Sequence, residues 1–505
     1  MRRLSASLLL AVTLLPMICA ADEFDALRTS IRDHMQKNDV PAVAVAVWRD
    51  GKTVWAEGFG WADKEHQVPA TPDTMFCLAS LTKTLTATGL MTLVQAGKID
   101  LDRPANDYLG ADQLTMRVGD PKAVTVRSLA NHTSGLPAGE QFFYGADVPK
   151  LPAMSEVIRR YGIVAAPAGE RYRYSNLGYG ILGRLLEQVS GRSYPDFMRE
   201  ALFQPLGMTH ASVNIAPELR QHQAVRYDLD RKPIPYYVSA QPAAGLVYAS
   251  ASDIARFGQF LLKNRSSERK AILSNASIDR MSSDPIREQG SPALAAGDAS
   301  GYGVGLFVRN QGGYRTLGHS GAGSGVSSDF AIVPEQNLGV VVLANADGGT
   351  SGLRKMLLKG LLPRWQEPAP APPAKVEPFQ PSSQLVGTWQ GKIQTYEGEQ
   401  SIQLKVLAAG DVHVRVGGPP RFGANRSTFQ QDALVNDIEF VDGAFTGRSL
   451  AQLVTTDSKR VPHTTSLNLK LRGDKLSGTV NAESVYEGFW IYGLPYWTEL
   501  SKVEL

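Results

Sequence analysis

Cysteine is nearly missing from this 505-residue chain, which holds only Cys19 and Cys77. Cys19 falls in the apolar N-terminal stretch; once that stretch is removed, Cys77 has no partner and an intramolecular disulfide is excluded even in an oxidising compartment. Stability must come from a core, and 43% hydrophobic residues over this length suffice for two or three domains. Strong charge of either sign is lacking too. A net charge of +3 without a long run of Lys and Arg excludes the footprint of a nucleic-acid binder, leaving a small molecule or peptide as the expected substrate. The eight histidines are scattered with no H-x-x-x-H or Cys/His cluster, so neither a metal centre nor a bound cofactor is expected.

What is present begins with "MRRLSASLLLAVTLLPMICAADEF": Arg2 and Arg3, an apolar segment, then Cys19, Ala20 and Ala21 before Asp22. This is the pattern of a signal peptide over residues 1–21. Pro16 and the small-residue cleavage site argue against a membrane span, which needs about 20 apolar residues. Pro16-Met17-Ile18 is a poor match to the small residues that lipoprotein processing at Cys19 requires. The expectation is an exported protein, periplasmic or secreted, without a stable membrane span in its mature form; its oligomeric state is not written in the sequence.

Past a short amphipathic helix, two β-branched and aromatic runs flank Asp50-Gly51, a hairpin signal. Strand patterns then vanish through a long region of helices and loops. They return as "GYGVGLFVRN", "GYRTLGHS", "GVSSDFAIVP" and "NLGVVVLANA", and "SGLRKMLLKGLLPRW" closes the unit as a helix. Residues 22–365 therefore predict an α/β (α+β) unit whose antiparallel sheet is built from both ends of the segment, flanked by helices, with a helical region beside it. The Pro-rich residues 366–383 read as an extended linker. From 384 to 505, short alternating runs broken by Gly and Asp predict an all-β domain, a small barrel.

Three short motifs can carry chemistry. Ser80-Leu81-Thr82-Lys83 opens a run, Ser80 to Ala96, that is helical in pattern with Gly97 as its stop. Ser80 then sits at a helix N-terminus that favours developing negative charge, and Lys83 lies one turn on, roughly 5–6 Å away between Cβ atoms. Buried, that lysine can be neutral and take the hydroxyl proton. The spacing alone is weak, since Ser267 to Lys270 repeats it in a charged, surface-like stretch. Further on, Tyr174-Ser175-Asn176 precedes a helix from about Leu177 to Gly191. A phenol flanked by an ammonium can be depressed enough to act as a base, and Asn176 offers a donor and an acceptor to a substrate amide. An ordinary turn with an asparagine N-cap explains the same residues.

The third is "LGHSGAGSG", residues 317 to 325. Gly318-His319-Ser320-Gly321-Ala322 imitates a nucleophile elbow with Ser320 as nucleophile. An elbow needs a helix after the serine and a histidine downstream. Here another strand pattern follows, and the later His413 and His463 lie beyond the linker. The elbow fails, and His319-Ser320-Gly321 is read as a strand lining the site.

Ser80-x-x-Lys83, Tyr174-Ser175-Asn176 and His319-Ser320-Gly321, in this order, resemble the penicillin-recognising serine hydrolases: class C-type β-lactamases, D-alanyl-D-alanine carboxypeptidases, D-aminopeptidases and related esterases. The resemblance continues through "GKIDLDRPANDYLG", "LANHTSGLP", "FQPLGM" and "AAGLVYASASDIARFG", covering roughly residues 25 to 360. It implies a β-lactamase/transpeptidase-like fold and a Ser80 acyl-enzyme, with Lys83 and Tyr174 sharing acid and base work. It also implies that Asn176 holds the substrate amide and that the N–H groups of Ser80 and Ala322 form an oxyanion hole. Gly321 is expected to keep a side chain out of the substrate's path. His319 replaces the lysine usual in β-lactamases; with an ordinary pKa near 6.5 it would be only partly charged toward a substrate carboxylate, which makes penicillin hydrolysis less favourable.

Gly387-Thr388-Trp389 resembles the start of a lipocalin-type barrel, as in some D-aminopeptidase-like relatives. The aromatic stretch "VYEGFWIYGLPYWTEL" is expected to be barrel core rather than a cavity lining or an arm to the active site. Peptides containing D-amino acids or cell-wall fragments are the implied substrates. β-Lactamase or carboxylesterase activity, or a non-hydrolytic penicillin-binding receptor, are the alternatives. Cys77 is expected to support the helix start from within the core.

Overall fold

The computed structural model describes residues 23–264, 271–287, 300–367, 379–417, 432–441, 443–486 and 488–503. The signal-peptide residues, the Ser267–Lys270 stretch and the centre of the expected linker lie outside them. Within them no helix is long and apolar enough to cross a membrane.

The predicted sheet forms. Its eight strands run in the order Gly301–Tyr302, Phe307–Gln311, Tyr314–Gly323, Val326–Val333, Leu338–Ala344, Ala42–Arg49, Lys52–Asp63 and Val68–Pro69. The two ends of the unit meet where Val43 pairs with Ala344 and Arg49 with Leu338. These two central strands are fully buried save Arg49 and read as near-continuous apolar runs because both faces are covered. Val43, Val45 and Val47 face the helices Asp25–Lys37 and Leu353–Leu361, while Ala42, Ala44, Ala46 and Trp48 face the larger core containing the helix Ala251–Leu261. Asp50 and Gly51 adopt φ of 52° and 77°, the left-handed pair that a tight hairpin needs.

The C-terminal barrel also forms. Eight antiparallel strands run in order from Gly387–Thr395 to Phe489–Val503, and the first and last pair from Thr388↔Val503 to Gln394↔Trp497, closing it. Side chains such as Trp389, Ile393, Leu404, Val414, Leu469 and Val480 fill its core. Phe379, near the end of the expected linker, meets Phe440 at a tilt and Phe445 edge-on and belongs to this unit.

The sheet of the barrel does not stop at the barrel. Its last strand pairs through Tyr492↔Gln141 and Gly493↔Glu140 with Glu140–Tyr144, which pairs in turn with Tyr237–Ser239. Arg160 and Tyr161 both bond Asp457 across the same boundary. One face of the barrel is thereby built into the wall of the cleft described next.

Candidate active site

Ser80 stands in a one-turn 3-10 segment, Ala79–Leu81, that runs into the helix Thr82–Gln95. Ala79 has φ of +43°, an uncommon conformation for a residue with a side chain, immediately before the serine. Lys83 is fully buried and its Nζ lies 3.0 Å from Ser80 Oγ, 2.7 Å from Asn176 Oδ1 and 2.7 Å from the Ala244 carbonyl. Burial lowers its pKa to about 7, against the opposing pull of the Glu140 carboxylate. Two of the three partners are carbonyl oxygens that can only accept. In the neutral amine they take both N–H groups, which leaves the lone pair aimed at the Ser80 hydroxyl.

Ser175, not Asn176, caps the helix Asn176–Ser190: its Oγ accepts from Gly178 N at 2.9 Å. This corrects the asparagine N-cap reading and has a consequence for the site. Released from the cap, Asn176 bridges Lys83 through Oδ1 and Glu140 through Nδ2, at 2.7 and 2.6 Å.

Tyr174 lies with its ring centroid 4.8 Å from Lys83 Nζ. The expected depressed phenol is not what the surroundings produce. Burial raises Tyr174 well above its ordinary value, and hydrogen bonding with Ser80 only partly opposes this. The rings of His132 and His319 stand 4.3 and 6.5 Å from it. Tyr174 is therefore a protonated phenol beside Ser80, suited to give a proton rather than to take one.

His319 requires a second correction. Only 1% exposed, it donates from Nδ1 to the Ser320 carbonyl at 2.6 Å, and its Nε2 accepts from Tyr302 Oη at 3.0 Å. Burial and the nearby Lys83, Arg309 and Arg354 lower its pKa to about 3. A ring that stays neutral and has both nitrogens engaged supplies no charge to a substrate carboxylate. It braces the strand Tyr314–Gly323 against Tyr302 and Phe307 instead.

Gly321 is constrained by the protein rather than by the substrate. A Cβ there would collide with the Leu78 carbonyl oxygen and stand 2.9 Å from Ser80 N. The strand is thus pressed against the turn that carries Ser80, and Ala322 comes to line the same cleft as Ser80. Ser320 points to the exposed side of the strand. Cys77 is buried, its thiol raised by burial, and it packs near Tyr237 and Tyr248 beneath the Ser80 turn.

The cleft over Ser80 encloses about 530 Å³. Glu140, Tyr144, Tyr237 and the barrel residue Trp490 form much of its wall, so the aromatic stretch splits: Trp490 reaches the site while Tyr492, Leu494 and Tyr496 are barrel core. Among the described residues lining it, Glu140 and Asp347 carry the only charges. Glu140 is pushed up to about 7 by burial, opposed by Lys83 and the Asn176 hydrogen bond. Sequence reasoning missed Glu140, Trp490 and His132. The last lies inside "LANHTSGLP", whose resemblance pointed at the segment, and Trp490 lies in the aromatic stretch read as barrel core; nothing local marks Glu140. Among the described residues no group of His, Cys, Asp and Glu is arranged to hold a metal.

Comparison with known proteins gives one family match: residues 27–360 fit the model described as Beta-lactamase. Protein flp of Staphylococcus aureus (strain NCTC 8325 / PS 47) is 25% identical over 330 residues, 64% of this chain and 63% of that protein. The chain thus spans less than two thirds of that curated relative's length. Among solved structures, SurE superposes with a TM-score of 0.63 at 22% identity, covering 95% of this chain and 99% of that one; it has also been solved with D-Leu. The octameric penicillin-binding protein homologue from Pyrococcus abyssi gives 0.57 at 23%, covering 94% and 99%. These two likenesses are of fold, and both extend over the barrel.

Proposed function

Starting from the fact that this chain belongs to the beta-lactamase family, we propose that it hydrolyses amide or ester bonds through a Ser80 acyl-enzyme, with D-amino-acid-containing peptides or cell-wall fragments as substrates. The observation that carries this is the 3.0 Å contact between Ser80 Oγ and a fully buried Lys83 held near neutral pKa. Neutral Lys83 takes the Ser80 proton as Oγ attacks the carbonyl carbon. The N–H groups of Ser80 and Ala322 receive the oxyanion, and the Tyr174 O–H gives its proton to the leaving nitrogen or oxygen. Tyr174 regains a proton from Lys83, and water releases the acyl group by the reverse relay.

A substrate whose binding depends on a free carboxylate is disfavoured, because no described cation stands on the cleft wall and His319 is neutral. Arg226 is screened from the cleft by Tyr237, on whose ring it stacks at 3.5 Å. This weighs against penicillin hydrolysis as the main activity.

The test is a panel of D-peptides, chromogenic esters and cephalosporins compared by kcat/KM, with mass detection of an adduct on Ser80. Turnover abolished in Ser80→Ala supports the reading. A persistent adduct without turnover would make the protein a receptor, and turnover surviving in Ser80→Ala would refute the assignment.

A further inference from the structure

We infer that Glu140 anchors a primary ammonium group on the acyl side of the substrate, so that the site selects amides and esters whose acyl group carries a free amine. The inference rests on the Ser80 acyl-enzyme reading and adds a recognition element to it.

Glu140 is tied to the reacting serine by a continuous chain of contacts. Ser80 Oγ to Lys83 Nζ is 3.0 Å, Lys83 Nζ to Asn176 Oδ1 is 2.7 Å, and Asn176 Nδ2 to Glu140 Oε2 is 2.6 Å. The carboxylate lies on the cleft wall that also holds Ser80 and Asn176. An α-amino acyl group places its nitrogen two bonds from the attacked carbon, roughly 2.5 Å away, and so needs an anion close to the nucleophile.

Only one oxygen of the carboxylate is used. Asn176 occupies Oε2, while Oε1 accepts no hydrogen bond from any described donor. The Trp490 indole N–H lies beside the carboxylate and eases its burial, but falls short of hydrogen-bonding geometry. Lys83, as the neutral amine, spends its two N–H groups on Asn176 and the Ala244 carbonyl and has none left for Glu140. The carboxylate is therefore desolvated without being neutralised, as its upward shift to about 7 reflects. A buried anion in that condition gains from any cation that enters. The remaining wall, with Tyr144, Tyr237, Trp490 and a second carboxylate at Asp347, is the aromatic and acidic composition that suits an ammonium and repels a carboxylate.

The rival occupant would come from the other side. A second cleft of about 420 Å³, between the hydrolase unit and the barrel, shares Glu140 and Trp490 with the first and is lined by Arg173, Asn481 and Glu483. If N-terminally extended chains passed through it, an acylated amine would be preferred over a free one.

The experiment compares kcat/KM of the full-length protein on D-alanine p-nitroanilide and on N-acetyl-D-alanine p-nitroanilide, with p-nitrophenyl acetate as a neutral reference. Glu140→Gln and Glu140→Asp are measured alongside. The work is done at about pH 7.5, above the Glu140 value and below that of an α-amine near 7.7–8.0. The expected result is a free-amine to acetyl ratio of at least ~10 in the natural protein, a collapse toward ~1 in Glu140→Gln, and recovery of most of it in Glu140→Asp. An equal fall on both anilides in Glu140→Gln would reduce Glu140 to a positioning residue for Asn176 and overturn the inference. A preference for the acetylated substrate would overturn it in favour of the second cleft. Ser80-dependent turnover of p-nitrophenyl acetate alone sinks the amine anchor and leaves the hydrolase reading standing; no turnover and no Ser80 adduct on any of the three sinks both.

Discussion

The backbone N–H of Trp490 donates to Ser324 Oγ at 3.0 Å, which fastens a barrel residue to the end of the strand that carries His319. The Trp490 carbonyl accepts from Tyr144 Oη at 2.9 Å, so both of its main-chain groups are held on the cleft rim. Its side chain is then a fixed part of the wall. Trp490→Ala is expected to raise KM for bulky amides about 5- to 20-fold, with a smaller change in kcat, because truncation removes contact area and not the reacting groups. Steady-state kinetics checks this; unchanged KM across the panel would leave the Trp490 side chain no part in substrate binding.

Lys83 works as the free amine. Its value of about 7 lies below that of an exposed lysine because burial penalises the ammonium, so kcat/KM should rise with pH through that region and fall about tenfold per unit below it. Glu140 raises Lys83 by its negative charge. Removing that charge in Glu140→Gln lowers Lys83, and the acidic limb should move to lower pH. Since the two groups are coupled, the midpoint belongs to the pair. A pH–rate profile whose acidic limb is identical in both proteins would exclude Lys83 as the titrating base.

His319 should contribute no titration between pH 5 and 8, its pKa being lowered to about 3. The groups acting on it electrostatically are Lys83, Arg309 and Arg354, and each disfavours its protonated form. His319→Lys would place an unpaired ammonium among them, with Tyr302 and Phe307 for neighbours. The expected outcome is a loss of about 3 kcal/mol or more in stability and no gain in penicillin hydrolysis. Thermal unfolding together with a β-lactam assay would detect the opposite result, a stable variant with new activity.

Gly321→Ala puts a methyl group into the Leu78 carbonyl and against Ser80 N. Either the strand or the Ser80 turn must move, and both hold donors of the expected oxyanion hole. A loss of about 100-fold or more in kcat is expected on neutral esters, out of proportion to any change in KM. Comparable kcat in Gly321→Ala would mean that the strand and turn adjust without consequence.

Arg160 Nη1 donates to Asp457 Oδ2 at 2.8 Å, and the Tyr161 hydroxyl bonds the same oxygen. Both partners are largely shielded, at 22% and 12% side-chain exposure. Asp457→Asn should cost about 1–3 kcal/mol at the boundary between barrel and hydrolase unit and lower the midpoint of thermal unfolding. An unchanged midpoint would show that the strand pairing at Gln141 and Glu140 holds that boundary without the ion pair.

The sequence by itself determined whatever depends on neighbours along the chain. Apolar runs, alternation and turn residues were enough for the main strands of the sheet and for much of the barrel, because a strand's side-chain direction is set by its own backbone, but not for short strands such as Glu140–Tyr144 and Tyr237–Ser239 in the helical middle. The Ser80-x-x-Lys83 spacing placed the two groups together, because one helical turn does so in any context. Tertiary structure alone decided the protonation states. Tyr174 and His319 have ordinary local surroundings in the sequence; their shifts arise from burial, among His132 and His319 for Tyr174 and among Tyr302 and Phe307 for His319, none of them adjacent in the chain. It alone decided that Asn176 is free of capping duty, since that followed from Ser175 taking the cap. Glu140 and Trp490 became parts of one wall only when the barrel's last strand paired beside Glu140–Tyr144. A pairing between remote strands is fixed by register and packing, and neither leaves a mark on the residues next to it in the chain.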